Sequence, residues 1–232
     1  MAGTMDSRRV AYLKALDVDV WERRDLVPAA DVAVAAPVAD SGTQPGWAEL
    51  ERAVKSCTLC PLHKTRTQAV FGVGNRAAQW MVIGEAPGAD EDRQGEPFVG
   101  RAGQLLNSML KAIGLQREQV FIANILKSRP PNNRDPKPEE VQACIPYLFR
   151  QIELINPKLI LCVGRIAAQT LLETDTPIGK LRGQLHRIAG NRPMVVTYHP
   201  AYLLRSPGEK RKSWADLLLA LRTFEQATGA AT

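Results

Sequence analysis

Short apolar segments with the character of buried strands alternate along this chain with longer segments of helical spacing. The strand-like segments are 79–84, 119–125, 158–163 and 193–198. The helical segments are 102–114, 138–154, 165–173 and 210–226. Strands that alternate with helices predict a parallel sheet with helices on both faces. We therefore expect an α/β protein with three layers, α/β/α, around a central four-stranded parallel sheet.

Polar residues stand where three of these strands end. Glu85 follows the first strand, Asn124 ends the second, and His199 follows the last. The carboxyl ends of parallel strands lie at one edge of a sheet, and ligands bind outside that edge. The sequence therefore predicts that a carboxylate, an amide and an imidazole meet in one binding site.

The first 46 residues differ in character from the rest of the chain. Residues 8–24 have the pattern of one short helix, and residues 27–46 consist largely of Ala, Val, Pro and Gly, which is typical of a flexible linker. The alternating pattern begins with a helical segment at 47–56. We expect an N-terminal extension with a linker over 1–46 and one domain over 47–232.

Charge and hydropathy exclude several classes of protein. No run of about 18 apolar residues occurs, so we expect no transmembrane helix. The first twenty residues contain several charges and no continuous apolar segment, so we expect no secretory signal. The net charge of +6 is compatible with a polyanionic partner. These features predict a cytoplasmic protein without membrane contact, in which thiols are reduced.

The chain has four cysteines with the spacing C-x2-C-x83-C-x17-C, namely Cys57, Cys60, Cys144 and Cys162. A C-x-x-C pair can aim two thiolates at one metal ion or one cluster. The last two could equally be ordinary buried cysteines. All four together fit a single set of ligands, and the spacing leaves both a zinc ion and a [4Fe–4S] cluster open.

Two loops near the strand ends carry further candidates. The loop 84–92, GEAPGADED, contains Glu85 and Glu91, which could orient water or stabilise a cationic transition state, or could simply be solvated. In the loop 95–104, Phe98 lies between glycines. It could stack on a planar ligand or anchor the loop.

Two other loops are basic. The loop 124–138 has four Lys or Arg against one Asp, and the loop 199–212 has four against one Glu. Both predict contacts to phosphate groups. Apolar residues beside arginine can wedge between base pairs, although packing in a helix is the alternative here. The candidate DNA-binding residues are Lys127, Arg129, Arg134, Leu203, Leu204 and Arg205.

Five signals in the same order now resemble one known family. The segments GEAPGADED, GEPFVGRAG, NILKSRPPNNRDP and HPAYLLR, together with the cysteines, are similar to the type 4 (iron–sulfur) uracil-DNA glycosylases. The resemblance covers about residues 47–226. It implies a uracil-DNA glycosylase-like fold and a monofunctional enzyme that flips uracil out of DNA and hydrolyses its N-glycosidic bond in base excision repair.

The resemblance also implies roles for individual residues. Phe98 would stack on uracil, Asn124 would read its edge, and His199 would bind its O2 atom. Glu85 and Glu91 are the acidic candidates for water activation, and Ala86 stands among the substrate-binding residues where better-known uracil glycosylases have an Asp. The four expected ligands of a [4Fe–4S] cluster are Cys57, Cys60, Cys144 and Cys162.

Two other functions are alternatives to this prediction. One is a catalytically silent DNA-binding or DNA-polymerase-associated relative, which the joint presence of Glu85, Asn124 and His199 argues against. The other is a zinc-stabilised hydrolase of a different nucleotide substrate. The expected partner is uracil-containing DNA, and the expected oligomeric state is a monomer.

Overall fold

A computed structural model describes residues 44–188 and 190–229. The helix predicted for 8–24 and nearly all of the linker predicted for 27–46 lie outside these residues. Within the described ranges, no helix is both long enough and apolar enough to cross a membrane.

The described residues form one sheet with the strand order β1-β3-β2-β4-β6-β5. The strands are β1 (Val73–Gly74), β2 (Trp80–Gly84), β3 (Phe121–Asn124), β4 (Leu159–Val163), β5 (Leu185–Ile188) and β6 (Arg192–Thr197). The four central strands are parallel, as predicted. The sheet has six strands instead of the four expected, because β1 and β5 add an antiparallel strand at each edge. These two strands are short and not continuously apolar, so the hydropathy pattern does not reveal them.

Eight α-helices flank the sheet within the described ranges. They are α1 (Trp47–Lys55), α2 (Ala89–Gln94), α3 (Arg101–Ala112), α4 (Pro138–Ile155), α5 (Arg165–Leu172), α6 (Ile178–Leu181), α7 (Pro200–Arg205) and α8 (Lys210–Thr228). All five helices predicted in this part of the chain are present. The three that sequence periodicity misses, α2, α6 and α7, have at most six residues, which is too short for a helical period to be recognised.

Alternating side chains of the central strands feed two separate cores. In β4, Ile160 and Cys162 pack on one face with α1, α4 and α5. Leu159 and Leu161 pack on the other face with α3, α7 and α8. Every residue of β2 and β4 is buried, because helices cover both faces. The three-layer α/β/α prediction is therefore confirmed.

The register of β2 and β3 brings the first two polar strand ends together. Gly84 pairs with Asn124 at the carboxyl end of both strands. A Cβ atom on Gly84 would lie 2.7 Å from Cζ of Phe98 and would also collide with the Asn124 side chain. Only glycine therefore allows the aromatic ring and the amide to meet over this strand end.

Candidate active site

A cleft of about 750 Å³ opens at the carboxyl edge of the parallel strands. Glu85, Asn124 and His199 line this cleft, as the positions of the strand ends predict. Ala86 and Phe98 line it as well. The residues that the sequence places in the substrate site therefore share one cavity, which is large enough to enclose a nucleobase.

Two rings lie side by side in the cleft. The Phe98 ring is stacked against the His199 ring, with 5.5 Å between centroids and 29° between planes. Asn124, at the end of β3, is almost completely buried and has an Oδ1 atom without a hydrogen-bond partner in the described structure. A buried polar atom without a partner is costly and commonly indicates a ligand that is to be bound there.

Phe98 lies in a strained backbone turn that neighbouring residues hold in place. Its φ of 55° is in the left-handed region, which is unfavourable for a bulky residue. The Arg117 guanidinium donates to the carbonyl groups of Pro97 at 2.6 Å and Phe98 at 3.2 Å. A Cβ atom on Gly103 would collide with the Phe98 carbonyl, so α3 packs directly against this turn. Sequence reasoning missed Arg117, because no local pattern links it to a loop about 20 residues earlier.

The surroundings of His199 determine its protonation. Its Nδ1 atom accepts a hydrogen bond from the backbone amide of Ala201 at 3.1 Å, so the neutral ring carries its hydrogen on Nε2. Burial, and secondarily the charge of Arg205, lowers the pKa of His199 to about 4. At neutral pH the ring is therefore an uncharged donor through Nε2.

Glu85 has the opposite shift. Burial at the end of β2, together with the negative charge of Asp135, raises the pKa of Glu85 to about 7, although Arg165 acts against this. Asp135 and Arg165 form an ion pair of 2.8 Å, and both line the same cleft. Glu85 can therefore exchange a proton near neutral pH, as a general base requires.

Glu91 also lines the cleft, but its carboxylate is occupied by backbone amides. Oε2 accepts from Gly88 at 3.1 Å. Oε1 accepts from Val99 at 3.0 Å and from Gly100 at 3.1 Å. These bonds cap α2 and fix the segment that follows Phe98, so Glu91 connects the acidic loop to the aromatic loop.

The structure corrects the role predicted for Lys127. This side chain is only 1% exposed, and its Nζ atom donates to the Asn124 carbonyl at 2.9 Å and to Gln151 Oε1 at 2.7 Å. Burial lowers its pKa to about 7. Lys127 cannot reach a phosphate, so its assignment as a DNA-binding residue is wrong. It supports the backbone of Asn124 instead.

The other basic candidates of this loop lie nearer to the surface. Arg134 lines the cleft but makes a bidentate ion pair with Glu140, with bonds of 2.6 and 2.9 Å. Arg129 donates from Nε to Asn133 Oδ1 at 2.7 Å and is partly exposed. Both can still approach a phosphate, although internal bonds already occupy part of each guanidinium.

The DNA-binding candidates on the short helix α7 differ in their exposure. Leu203 is 1% exposed and packs in the core with α3 and α8, so its assignment as a DNA wedge is wrong. Leu204 and Tyr202 are each 36% exposed. Arg205 is exposed at the rim of the cleft. Packing in a helix, the alternative for both leucines, applies to only one of them.

Three of the four cysteines share one neighbourhood. Burial raises the pKa of the Cys144 thiol, and the charges of Cys60 and Cys57 raise it further. Burial alone raises the pKa of Cys162, which lies in the middle of the core between β2 and β6. Its sheet partners are Ile83 and Val196, so Cys162 lies apart from the other three cysteines.

The arrangement of the three remaining thiols limits what they can hold. Among the described residues, no three His, Cys, Asp or Glu side chains are placed to share a single metal ion. In an iron–sulfur cluster, each thiolate binds a different iron atom, so the ligands can be farther apart. Two basic side chains also border this group, since Lys127 lies beside Cys144 and Arg66 donates to the Cys57 carbonyl. The donor set fits an anionic cluster better than one zinc ion.

A second network that the sequence did not reveal supports His199. Buried Asp216 accepts from the Arg182 guanidinium at 2.6 and 3.0 Å and from Thr197 Oγ1 at 2.8 Å. Arg182 also lies over the Tyr198 ring, 5.5 Å from its centroid. The network therefore holds the end of β6 just before His199.

Comparison with known families identifies the class of protein to which this fold and cleft belong. The family model described as "Uracil DNA glycosylase superfamily" matches residues 71–219, and the chain belongs to this family. Individual proteins within this family that are similar to the chain have more specific names. A protein of Archaeoglobus fulgidus named type-4 uracil-DNA glycosylase is 51% identical over 175 residues, which cover 72% of this chain and 88% of the relative.

Two further relatives have the same name. The protein of Pyrobaculum aerophilum is 45% identical over 74% of this chain and 91% of its own length. The protein of Thermotoga maritima is 47% identical over 66% of this chain and 80% of its own length. The resemblance to the type 4 family is thus confirmed.

Proposed function

We propose that this chain is a uracil-DNA glycosylase that hydrolyses the bond between uracil and deoxyribose and leaves an abasic site in DNA. The observation that carries the proposal is the buried Oδ1 atom of Asn124, which lacks a partner beside the stacked rings of Phe98 and His199. The names of the relatives support the same substrate.

Recognition of the base rests on Asn124 and Phe98. Inside the cleft, Asn124 Oδ1 accepts the N3–H of uracil, and its amide nitrogen donates to O4. Cytosine presents the opposite donor and acceptor at these positions and leaves the buried amide unpaired, which is costly. Phe98 stacks on the face of the flipped base. Ala86 lines the same cleft and leaves space beside Glu85.

Neutral His199 stabilises the leaving group. As the N-glycosidic bond breaks, negative charge develops on uracil O2, and the hydrogen on Nε2 is directed to this charge. The acceptor bond at Nδ1 keeps that hydrogen in place before reaction. A preorganised donor of this kind accelerates catalysis by about 10²–10³-fold.

We assign the activation of water to Glu85. The deoxyribose becomes cationic in the transition state, so an ionised carboxylate at the end of β2 stabilises the sugar and orients the attacking water. Glu91 shares the cleft, but three backbone amides occupy its oxygens. Its contribution is therefore to position the loops.

DNA contacts surround the mouth of the cleft. Arg205, Arg129 and the unpaired part of Arg134 bind phosphates, and exposed Leu204 inserts beside the displaced base. The catalytic domain comprises residues 47–232, with 1–46 as an extension. The enzyme acts as a monomer on DNA in the cytoplasm.

An iron–sulfur cluster of the [4Fe–4S] type completes this domain. Cys57, Cys60 and Cys144 hold it, and the group supplies a structural crosslink between the segment before β1 and α4. No step of hydrolysis passes through it.

The test is release of uracil from oligonucleotides with one uracil opposite G, opposite A or in a single strand. Wild-type protein should produce abasic sites, whereas thymine and cytosine controls should remain intact. Replacement His199→Ala should lower kcat by about 10²–10³-fold. Replacement Glu91→Gln should cost less activity than Glu85→Gln. Failure of folded wild-type protein to release uracil from all three substrates would contradict the proposed function.

A further inference from the structure

The three clustered thiols leave one ligand of a four-iron cluster without a cysteine. Each iron of such a cluster requires a ligand outside the cluster core, and four cysteines normally provide them. Cys57, Cys60 and Cys144 account for three. Cys162, the fourth of the five residues of β4, lies apart from them between β2 and β6, so another residue must stand at the fourth position.

Ser128 lies where this ligand is needed. Lys127, the residue before it, lies beside Cys144. Ser128 Oγ accepts a hydrogen bond of 2.8 Å from Arg66 Nη1, and Nη2 of the same guanidinium donates to the Cys57 carbonyl at 3.0 Å. Ser128 is therefore a chain neighbour of the residue beside Cys144 and is linked through Arg66 to the backbone of Cys57.

The hydroxyl of Ser128 is shielded from water. Ser128 is 2% exposed and ends a run of buried residues that begins at Val120. A serine oxygen can bind iron once it loses its proton, and the Arg66 cation beside it stabilises the resulting negative charge. The hydroxyl and the guanidinium thus form a site for one iron atom with an oxygen ligand.

We infer that the cluster of this chain is held by three thiolates, from Cys57, Cys60 and Cys144, and by the oxygen of Ser128 at the fourth iron. Cys162 is a residue of the core. The inference rests on the cluster proposed above and is independent of which base the enzyme removes. Because oxygen is a harder ligand than sulfur and holds this iron less tightly, the Ser128-bound iron should be the first to leave on oxidation.

The experiment compares the wild type with four variants, each purified without oxygen and reconstituted with iron and sulfide. Iron per chain, visible absorbance and electron paramagnetic resonance after brief exposure to air are measured, and thermal unfolding verifies the fold. Ser128→Ala and Ser128→Cys test the fourth ligand. Cys162→Val tests the excluded cysteine. Ser213→Ala is the matched control, because Ser213 is an equally buried serine and lies on α8 instead of in this loop.

We expect Cys162→Val and Ser213→Ala to retain the iron content of the wild type. Ser128→Ala should lose about one iron in four and give the signal of a three-iron cluster. Ser128→Cys should keep all its iron and lose it more slowly in air than the wild type does.

Three results would overturn the inference. The first is a full iron content in Ser128→Ala with a wild-type rate of loss, and the second is loss of iron in folded Cys162→Val. Wild-type protein that binds no iron would also overturn it, and would leave the glycosylase function intact if uracil were still released. A cluster with the expected pattern in a protein that releases no uracil would contradict only the proposed function.

Discussion

Glu85 and Glu91 belong to the same acidic loop, yet their surroundings give them different chemistry. Glu91 is bonded to three backbone amides, whereas Glu85 is partly buried after a strand end near Asp135. The position of Glu85 could be predicted because strand ends meet at one edge. The bonds of Glu91 could not, because they depend on how the next loop returns to α2.

The raised pKa of Glu85 predicts a dependence of stability on pH. The pKa is 4.5 in the unfolded chain and about 7 in the folded one, so the folded state binds more protons between these values. The contribution of Glu85 to the free energy of unfolding is therefore fully present below pH 4.5 and is lost as pH rises through 7. Glu85→Gln should be more stable than the wild type at pH 8 by about 1–3 kcal/mol, with no such gain at pH 4.

Urea unfolding at the two pH values measures this difference, with Glu139→Gln on the surface of α4 as the control. The same ionisation should make kcat/KM of the wild type rise as pH increases through 7, because the base must be charged. Equal stability of wild type and Glu85→Gln at pH 8 would show that the charged form of Glu85 does not destabilise the folded protein.

The role of Lys127 could not be predicted from its neighbours in the sequence. Its sequence neighbours are basic and proline-rich, which indicated a phosphate contact. Its actual partners are its own loop and Gln151 on α4, and Gln151 in turn donates to the Phe71 carbonyl at 2.9 Å. Only the packing of α4 on the sheet brings these groups together, and periodicity carries no information on such contacts.

At the scale of elements, the long segments were predictable and the short ones were not. The central strands β2 and β4 are apolar and buried throughout because both their faces are covered. Helices such as α4 begin with Pro and Glu, which mark a helix start. In contrast, α7 has six residues and owes its position to His199, which caps it. No periodic signal could separate buried Leu203 from exposed Leu204 before this helix was located.

The turn that carries Phe98 is a second element that depends on distant support. Replacement Arg117→Ala removes the donors to the Pro97 and Phe98 carbonyls and should cost about 2 kcal/mol of stability. Relaxation of the strained turn should also raise KM for uracil-containing DNA about 10-fold, with a smaller change in kcat. Arg117→Lys should recover only part of this, because one ammonium group cannot reproduce the planar pair of donors.

Steady-state kinetics with the exposed variant Arg93→Ala as control test this expectation. Binding to DNA with an abasic site provides a further readout, since no base is present to stack on Phe98. It should stay within about 2-fold of the wild type, because a loss confined to stacking leaves the phosphate contacts unchanged. An equal loss of binding to abasic and uracil-containing DNA would argue that Arg117 acts on the whole surface rather than on this turn.

For the whole molecule, the net charge of +6 does not show which cations are available to DNA. Lys127 is buried, and Arg182 and Arg134 are paired with buried carboxylates. Composition therefore predicted the sign of the partner but not the residues that contact it. That assignment requires the burial of each side chain, which the fold determines.

Salt dependence of binding can separate the exposed cations from the buried one. Replacement Arg205→Ala should reduce the slope of log Kd against log salt concentration by about 1, since one phosphate contact is lost. Folded Lys127→Met should leave this slope unchanged, as should Arg222→Ala near the end of α8. Titration of duplex DNA containing an abasic site at several salt concentrations measures all three. An unchanged slope for Arg205→Ala would place Arg205 outside the DNA contact.

The two edge strands have a consequence for how the protein behaves at high concentration. A parallel sheet ending at β3 and β6 would present two rows of free backbone groups to other molecules. Here β1 covers one edge with only two residues, and β5 covers the other with four, which include the exposed charge of Arg187. Strands this short offer little backbone for another chain to pair with. The sheet is thereby protected from growing by intermolecular strand addition, the usual first step of aggregation in β-rich proteins.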